Sequence, residues 1–275
     1  MDSSDFLSKI IEKKRLRLAE ARSLRTLEEV RRDALAARES AQPNAFRAAL
    51  ETQGRVNIIA EFKRASPSKG EIRAGASAGE TAREYERGGA AAISVLTEQD
   101  YFRGCLEDLA EVNESVRLPV LRKDFIFDEY QVFESANAGA DALLLIVAAL
   151  DDETLTRLLR LTEQLGMDAL VEVHTAAEMQ RARGADARIV GVNNRDLRTF
   201  EVSLETSIGL ARHAPEGALL VSESGIRDVQ DIARLRACGY NAFLVGETLM
   251  RAGRPADALR ALAKLSEDDD RRDAR

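Results

Sequence analysis

ALLLIVAALDDETLTRLLRLTEQLGMDALVEVH, residues 142–174, is the stretch that decides the fold. It opens on a short apolar run, "ALLLIVA" from 142, and closes on another, "DALVEVH" from 168. Between them "DDETLTRLLRLTEQLG" (151–166) alternates charge and apolarity at helical period. Near-continuous apolar runs suit strands covered on both faces, as in parallel sheets. Parallel neighbours need a crossover, and a helix is the usual one. Residues 142–174 therefore read as one strand–helix–strand unit.

The same texture extends in both directions. Upstream lie "VNIIAEF" from 56, "AAISVLT" from 91 and "PVLRKDF" from 119; downstream lie "IVGVNN" from 189, "ALLVSES" from 218 and "AFLVGE" from 242. Successive starts are 21 to 35 residues apart, the length of one βα unit. Eight such units predict a single (β/α)8 TIM barrel of the α/β class over 52–265, and 275 residues with 45% hydrophobic content can fill its core. Residues 1–51 read instead as a helical extension packed on the barrel. Ser3 or Ser4 is placed to cap "DFLSKIIEKKRLRLAEAR", and Thr26 with Glu29 forms a capping-box pattern. The tail 266–275, "SEDDDRRDAR", has no apolar face and reads as disordered.

Composition removes several function classes. A net charge of -7 without a Lys/Arg-rich tract opposes nucleic-acid binding. The longest apolar run, 142–150, is too short to span a membrane, and the acidic, polar start is no secretory signal. Cys105 and Cys238 lie far apart outside any CxxC, which fits idle thiols in a reducing compartment. A cytoplasmic protein is the reading, with a monomer as its simplest form. The histidines, His174 and His213, lack metal-ligand spacing, and no G-x-G-x-x-G follows the first strand.

Barrel sites lie at the C-terminal ends of strands, and strand side chains alternate faces. Ile59, Glu61 and Lys63 share one face; so do Leu121, Lys123 and Phe125, then Leu170, Glu172 and His174, then Leu219, Val221 and Glu223. The sixth strand adds Gly191 and Asn193, with Arg195 beyond. Buried charges must pair with one another or with a ligand, so this convergence predicts a binding or catalytic mouth. Gly225 and Gly246 follow strands seven and eight, where barrels often hold phosphate. Ser66, Pro67 and Ser68 form a turn-rich loop after the first strand. That loop could serve an anion, act as a lid, or be plain solvent loop.

Taken together, "IIAEFKRASPSKG", "LRKDFIFDEYQV", "DALLLIV", "LVEVH", "GVNNRDLRTFEV", "VSESGI" and "AFLVGETLM" resemble the indole-3-glycerol-phosphate synthase family, in order, over about residues 5–262. The resemblance implies a lyase without metal or cofactor. It would close 1-(2-carboxyphenylamino)-1-deoxyribulose 5-phosphate to indole-3-glycerol phosphate with loss of carbon dioxide and water. By motif, Lys123 would be the general acid of ring closure, Glu172 would serve the proton transfers of dehydration, and Lys63 would contact an anionic substrate group. Glu61, Asn193 and Glu223 would orient these groups. Ser66, Arg195 and Ser224 would line the site, with Gly225, Gly246 and Glu247 at the phosphate end. A lysine acid works best with its pKa lowered towards neutrality. One carboxyl, Glu172, is expected to take up a proton when the doubly anionic substrate arrives. Two rivals remain open: a Schiff-base aldolase using Lys63 or Lys123, and a barrel that only binds a phosphorylated metabolite.

Overall fold

Short runs rich in Val, Ile, Leu and Ala become the strands β1 (Asn57–Phe62), β2 (Ala92–Leu96), β3 (Val120–Lys123), β4 (Ala142–Ile146), β5 (Asp168–Val173), β6 (Ile189–Asn193), β7 (Leu219–Glu223) and β8 (Ala242–Val245). In a computed structural model that describes residues 4–196 and 199–264, they pair in parallel in the order β1-β8-β7-β6-β5-β4-β3-β2 and close into a barrel. The chain is thus a (β/α)8 TIM barrel with helices ahead of it. The register sets Glu61 beside Ser94, Leu96 beside Lys123, Ile146 beside Glu172 and Asn193 beside Glu223. Strand-end side chains are thereby brought to neighbouring heights around one mouth.

The crossovers are α4 (Ala78–Gly88), α5 (Leu106–Ser115), α6 (Glu129–Asn137), α7 (Asp152–Gln164), α8 (Ala176–Gly184), α9 (Glu205–Ala211) and α10 (Val229–Ala237). After β8 come α11 (Glu247–Arg251) and α12 (Pro255–Leu262). Many starts are fixed by the preceding side chain: Ser77, Asp128, Asp151, Thr175 and Asp228 each accept a first-turn N–H. Alternation then divides the core. Ile58, Ala60, Val120, Val171 and Val190 face the helices. Ile59, Leu121, Leu170, Leu219 and Val221 fill the barrel with Leu144, Ile189 and Leu244. The strand parity expected from sequence is the one observed.

Residues 4–50 form three helices: α1 (Ser4–Leu24), α2 (Leu27–Arg38) and α3 (Ala45–Leu50). The first break is the Thr26 capping box, in which Thr26 Oγ1 accepts the Glu29 N–H and Glu29 Oε2 accepts the Thr26 N–H at 2.8 Å. α2 packs along α6, and its Arg38 donates to the carbonyls of Leu165, Gly166 and Ala140 at 3.0, 3.1 and 3.2 Å. α3 stops the barrel from below: Phe46 and Leu50 are buried in the same cluster as the interior strand residues. Each such burial stabilises by about 1.5–3 kcal/mol. Asp168, at the start of β5, accepts the Arg47 N–H at 2.8 Å and so caps α3 from across the chain. Ser3 and the tail 266–275 lie outside the described residues. No described helix is long and apolar enough to cross a membrane.

Candidate active site

One step above Ile59, Leu121, Leu170 and Val221, the same parity puts Glu61, Lys123, Glu172 and Glu223 into the barrel. The three carboxylates are 4%, 2% and 1% exposed, so bulk water does not solvate them. Lys123 Nζ lies 3.3 Å from Glu172 Oε2 and 3.1 Å from Glu223 Oε2. The Glu223 contact is an ion pair without hydrogen-bond alignment, since neither carboxylate oxygen of Glu223 has a hydrogen-bond partner. Lys63 Nζ pairs with Glu61 Oε1. Two glycines make this crowding possible. A Cβ at Gly191 would collide with Glu223 Oε1, and one at Gly246 with Glu61 Oε1. Gly246, selected from sequence for phosphate, therefore also makes room for a carboxylate. Gly191, on the mouth-facing parity of β6, does the same for Glu223.

Burial and charge set the protonation pattern. Burial would lower the Lys123 ammonium, but Glu223, Glu172 and Glu61 outweigh it and push its pKa up. This reverses the downward tuning expected of a lysine acid, because three carboxylates converge on one amine. Burial pushes Glu172 up, yet Lys123 and then His174 overcome it and hold the carboxyl below its usual range. Glu223 goes the other way: burial raises it, Lys123 opposes, Glu172 adds repulsion, and the result is about 7. In the free protein Glu223 is thus the carboxyl more readily protonated of the two; the proton uptake expected of Glu172 concerns the substrate complex. Glu172 is favoured in its charged form by Lys123 and His174, whereas Glu223 has Lys123 alone in its favour and Glu172 against it.

Above this floor is a cavity of about 750 Å³, and all twelve residues selected from sequence line it: Glu61, Lys63, Ser66, Lys123, Glu172, Asn193, Arg195, Glu223, Ser224, Gly225, Gly246 and Glu247. Asn193 Oδ1 accepts the Arg195 N–H at 3.0 Å. Arg195 Nη1 donates to Ser68 Oγ and to the Phe200 carbonyl, both at 3.2 Å, tying the loop after β6 to the loop after β1. Ser224 and Gly225 are both left-handed, at φ 67° and 83°. A side chain at Gly225 would also strike Val202 Cγ1. Glu247 is taken up by Arg251 Nε at 3.1 Å.

Sequence reasoning put Phe125 on the mouth face but missed the other apolar walls. Phe6, Leu7 and Ile10 of α1 line the cavity, with Phe102, Phe125 and Phe200 from the loops. Phe6 meets Tyr101 and Phe200 edge-on at 5.2 and 5.4 Å between centroids. Glu98 holds the Phe102 loop by accepting the N–H groups of Tyr101 and Phe102 at 2.7 and 3.1 Å. Asp124, next to Lys123, was also missed. Its Oδ2 receives Lys14 Nζ at 2.7 Å, Thr97 Oγ1 at 2.7 Å and Arg122 Nη2 at 3.2 Å. Burial raises Asp124, but Lys14 and Arg122 carry it down to about 2. The available signal was the spacing of Phe6, Ile10 and Lys14, four residues apart on one face of α1. A charged amine above paired carboxylates, aromatic walls and a left-handed glycine turn together suit acid–base work on an aromatic anion.

The indole-3-glycerol phosphate synthase family model matches residues 7–262. A protein of Carboxydothermus hydrogenoformans named indole-3-glycerol phosphate synthase is 46% identical over 261 residues, 94% of this chain and 99% of that one. One of the same name from Syntrophobacter fumaroxidans is 48% identical over 258 residues, 93% and 96% of the two chains. Among solved structures, 3-hexulose-6-phosphate synthase from Salmonella typhimurium superposes with a TM-score of 0.60 at 14% identity, covering 75% of this chain and 96% of that one. At that identity the likeness concerns the fold alone.

Proposed function

The chain belongs to the indole-3-glycerol phosphate synthase family, and on that premise we propose how its barrel mouth performs the family's reaction. It is a carbon–carbon lyase that closes 1-(2-carboxyphenylamino)-1-deoxyribulose 5-phosphate to indole-3-glycerol phosphate with release of carbon dioxide and water. The observation that carries the assignment of roles is Lys123 Nζ held between Glu172 and Glu223 at 3.3 and 3.1 Å.

Lys123, kept protonated by those carboxylates, gives its proton to the ketone oxygen as the ring carbon bearing the carboxylate attacks the carbonyl carbon. Carbon dioxide then leaves. Glu172, ionised, accepts the proton shed during dehydration, while Lys63 contacts the substrate anion and serves the departing hydroxyl as an acid. Glu61, Glu223 and Asn193 orient these groups. Phe102, Phe125 and Phe6 offer faces and edges to the aromatic ring. Arg195 and Ser66 wall the opening; Ser224, Gly225, Gly246 and Glu247 form the phosphate end, where Arg251 neutralises Glu247. A charged Lys123 is a poor Schiff-base nucleophile, which disfavours the aldolase reading. The substrate is a phosphorylated small molecule, and a cytoplasmic, monomeric enzyme is the simplest setting.

The test follows indole fluorescence on mixing protein with the carboxyphenylamino substrate in the absence of added metal or cofactor. Turnover is expected, and Lys123→Met should lower kcat by about 10²–10⁴-fold with KM changed far less. A loss confined to KM would reduce Lys123 to a binding group, and no turnover by the parent protein would overturn the reading.

A further inference from the structure

His174 is half-buried, does not line the cavity, and has no part in the roles above. Its ring stands between two carboxylates. Nδ1 is 3.2 Å from Glu178 Oε2, and Nε2 is 3.4 Å from Glu172 Oε1. Nε2 has no hydrogen bond of its own, so its contact with Glu172 is not a formed bond and becomes an ion pair when the ring is protonated. Glu178 is fixed in turn. It sits in the first turn of α8, its own N–H donates to Thr175 Oγ1 at 3.2 Å, and its Oε2 accepts the His174 N–H at 2.8 Å. Moving that carboxylate off the ring would disturb the start of α8.

The charged groups that face the imidazole are Glu172 of β5, whose end His174 follows, Glu178 of α8 and, farther off, Glu223 of β7; Lys123 of β3 lies across Glu172. Burial pushes the ring towards neutrality, but Glu178 and Glu172 outweigh it and raise its pKa. A cation buried between carboxylates on two elements costs desolvation that a solvated rim residue does not incur. Residues with that cost and a catalytic neighbour are candidates for tuning.

We propose that His174 is a positioning residue for Glu172: clamped by Glu178, its Nε2 keeps the Glu172 carboxylate charged and turned towards Lys123. Glu178, which does not line the cavity, thereby sets the acid–base behaviour of a catalytic group. This rests on the role assigned to Glu172 above.

The experiment is the pH profile of kcat for the parent, His174→Asn, Glu178→Gln and Glu172→Gln. On the acid limb the ring is protonated, and losing it makes Glu172 easier to protonate, so the limb moves to higher pH. In His174→Asn, kcat at the acid end should fall about tenfold further than at the alkaline end. Glu178→Gln keeps the ring and should shift the limb the same way by less. A purely structural role would lower kcat evenly across pH with the limb in place, and that result overturns the inference. Glu172→Gln separates the two failures. If it is inactive while the limb stays put in the other variants, the inference alone fails. If it is active, the role of Glu172 fails and the inference with it.

Discussion

Gly191→Ala should separate the stability of this barrel from its chemistry. The added Cβ would collide with Glu223 Oε1 and stand 3.1 Å from Leu170 Cδ1. The obstructing atom is the end of a side chain, not backbone, so Glu223 swings and the strands stay. Overpacking costs about 1–3 kcal/mol, and the lower end applies when a side chain can yield. For a chain of this size that is a fall in Tm of about 2–4 °C. Lys123, however, loses the carboxylate now 3.1 Å from its Nζ and keeps only Glu172 on that side. A displaced acid should cost about 10²-fold in kcat, equivalent to about 2.7 kcal/mol of barrel-mouth stabilisation of the transition state. Calorimetry and the fluorescence assay read the two effects separately. In a Glu223→Ala background the notch is empty, so the same methyl should be nearly neutral for stability; the double-mutant cycle measures the coupling. Parent-like kcat in Gly191→Ala, or an equal stability loss in both backgrounds, would refute the steric argument.

Two further outcomes follow from the buried charges. Glu223 binds its proton more tightly folded, with a pKa of about 7, than its ordinary 4.5. Its contribution is therefore complete below 4.5 and is lost as pH rises through 7. Glu223→Gln cannot titrate and should show a flatter stability curve across that window in urea melts; a constant offset from the parent would be contrary. Lys14→Met strips one cation from buried Asp124, leaving Arg122 and Thr97, and should cost about 3 kcal/mol. The Asp124 contribution is present above its ordinary 3.8 and lost as pH falls towards 2. Lys14→Met should therefore unfold at higher pH in acid titration, and an unmoved acid midpoint would contradict the pairing.

The barrel was legible because its signal is repeated and local. All eight observed strands begin within one residue of the apolar runs that announced them, and the parity of Ile59–Glu61 and Leu170–Glu172 placed carboxylates inside before any contact was known. What stayed hidden depends on contacts between distant elements. Lys14, in "EKKRLR", looks solvated in sequence; it is buried only because α1 lies over Asp124. Phe46 and Leu50 look like ordinary helix residues and became the barrel's stopper. The protonation order of Glu172 and Glu223 could not be read, since it turns on His174 standing beside Glu172 and on the repulsion that Glu223 receives from Glu172. Gly191 looked like a strand glycine until Glu223 was seen to occupy its missing side chain.

The first fifty residues bear on both openings of the barrel, with Phe6, Ile10 and Lys14 at one end and Phe46 and Leu50 at the other. The cluster holding Phe46 and Leu50 draws side chains from all eight strands, so it exists only after β8 has found β1. A segment that precedes the barrel in the chain therefore has its docking place completed last. Such long-range closure is slow. During that wait its apolar faces are open to proteases and chaperones, and its amides should be among the last to gain protection from exchange during refolding.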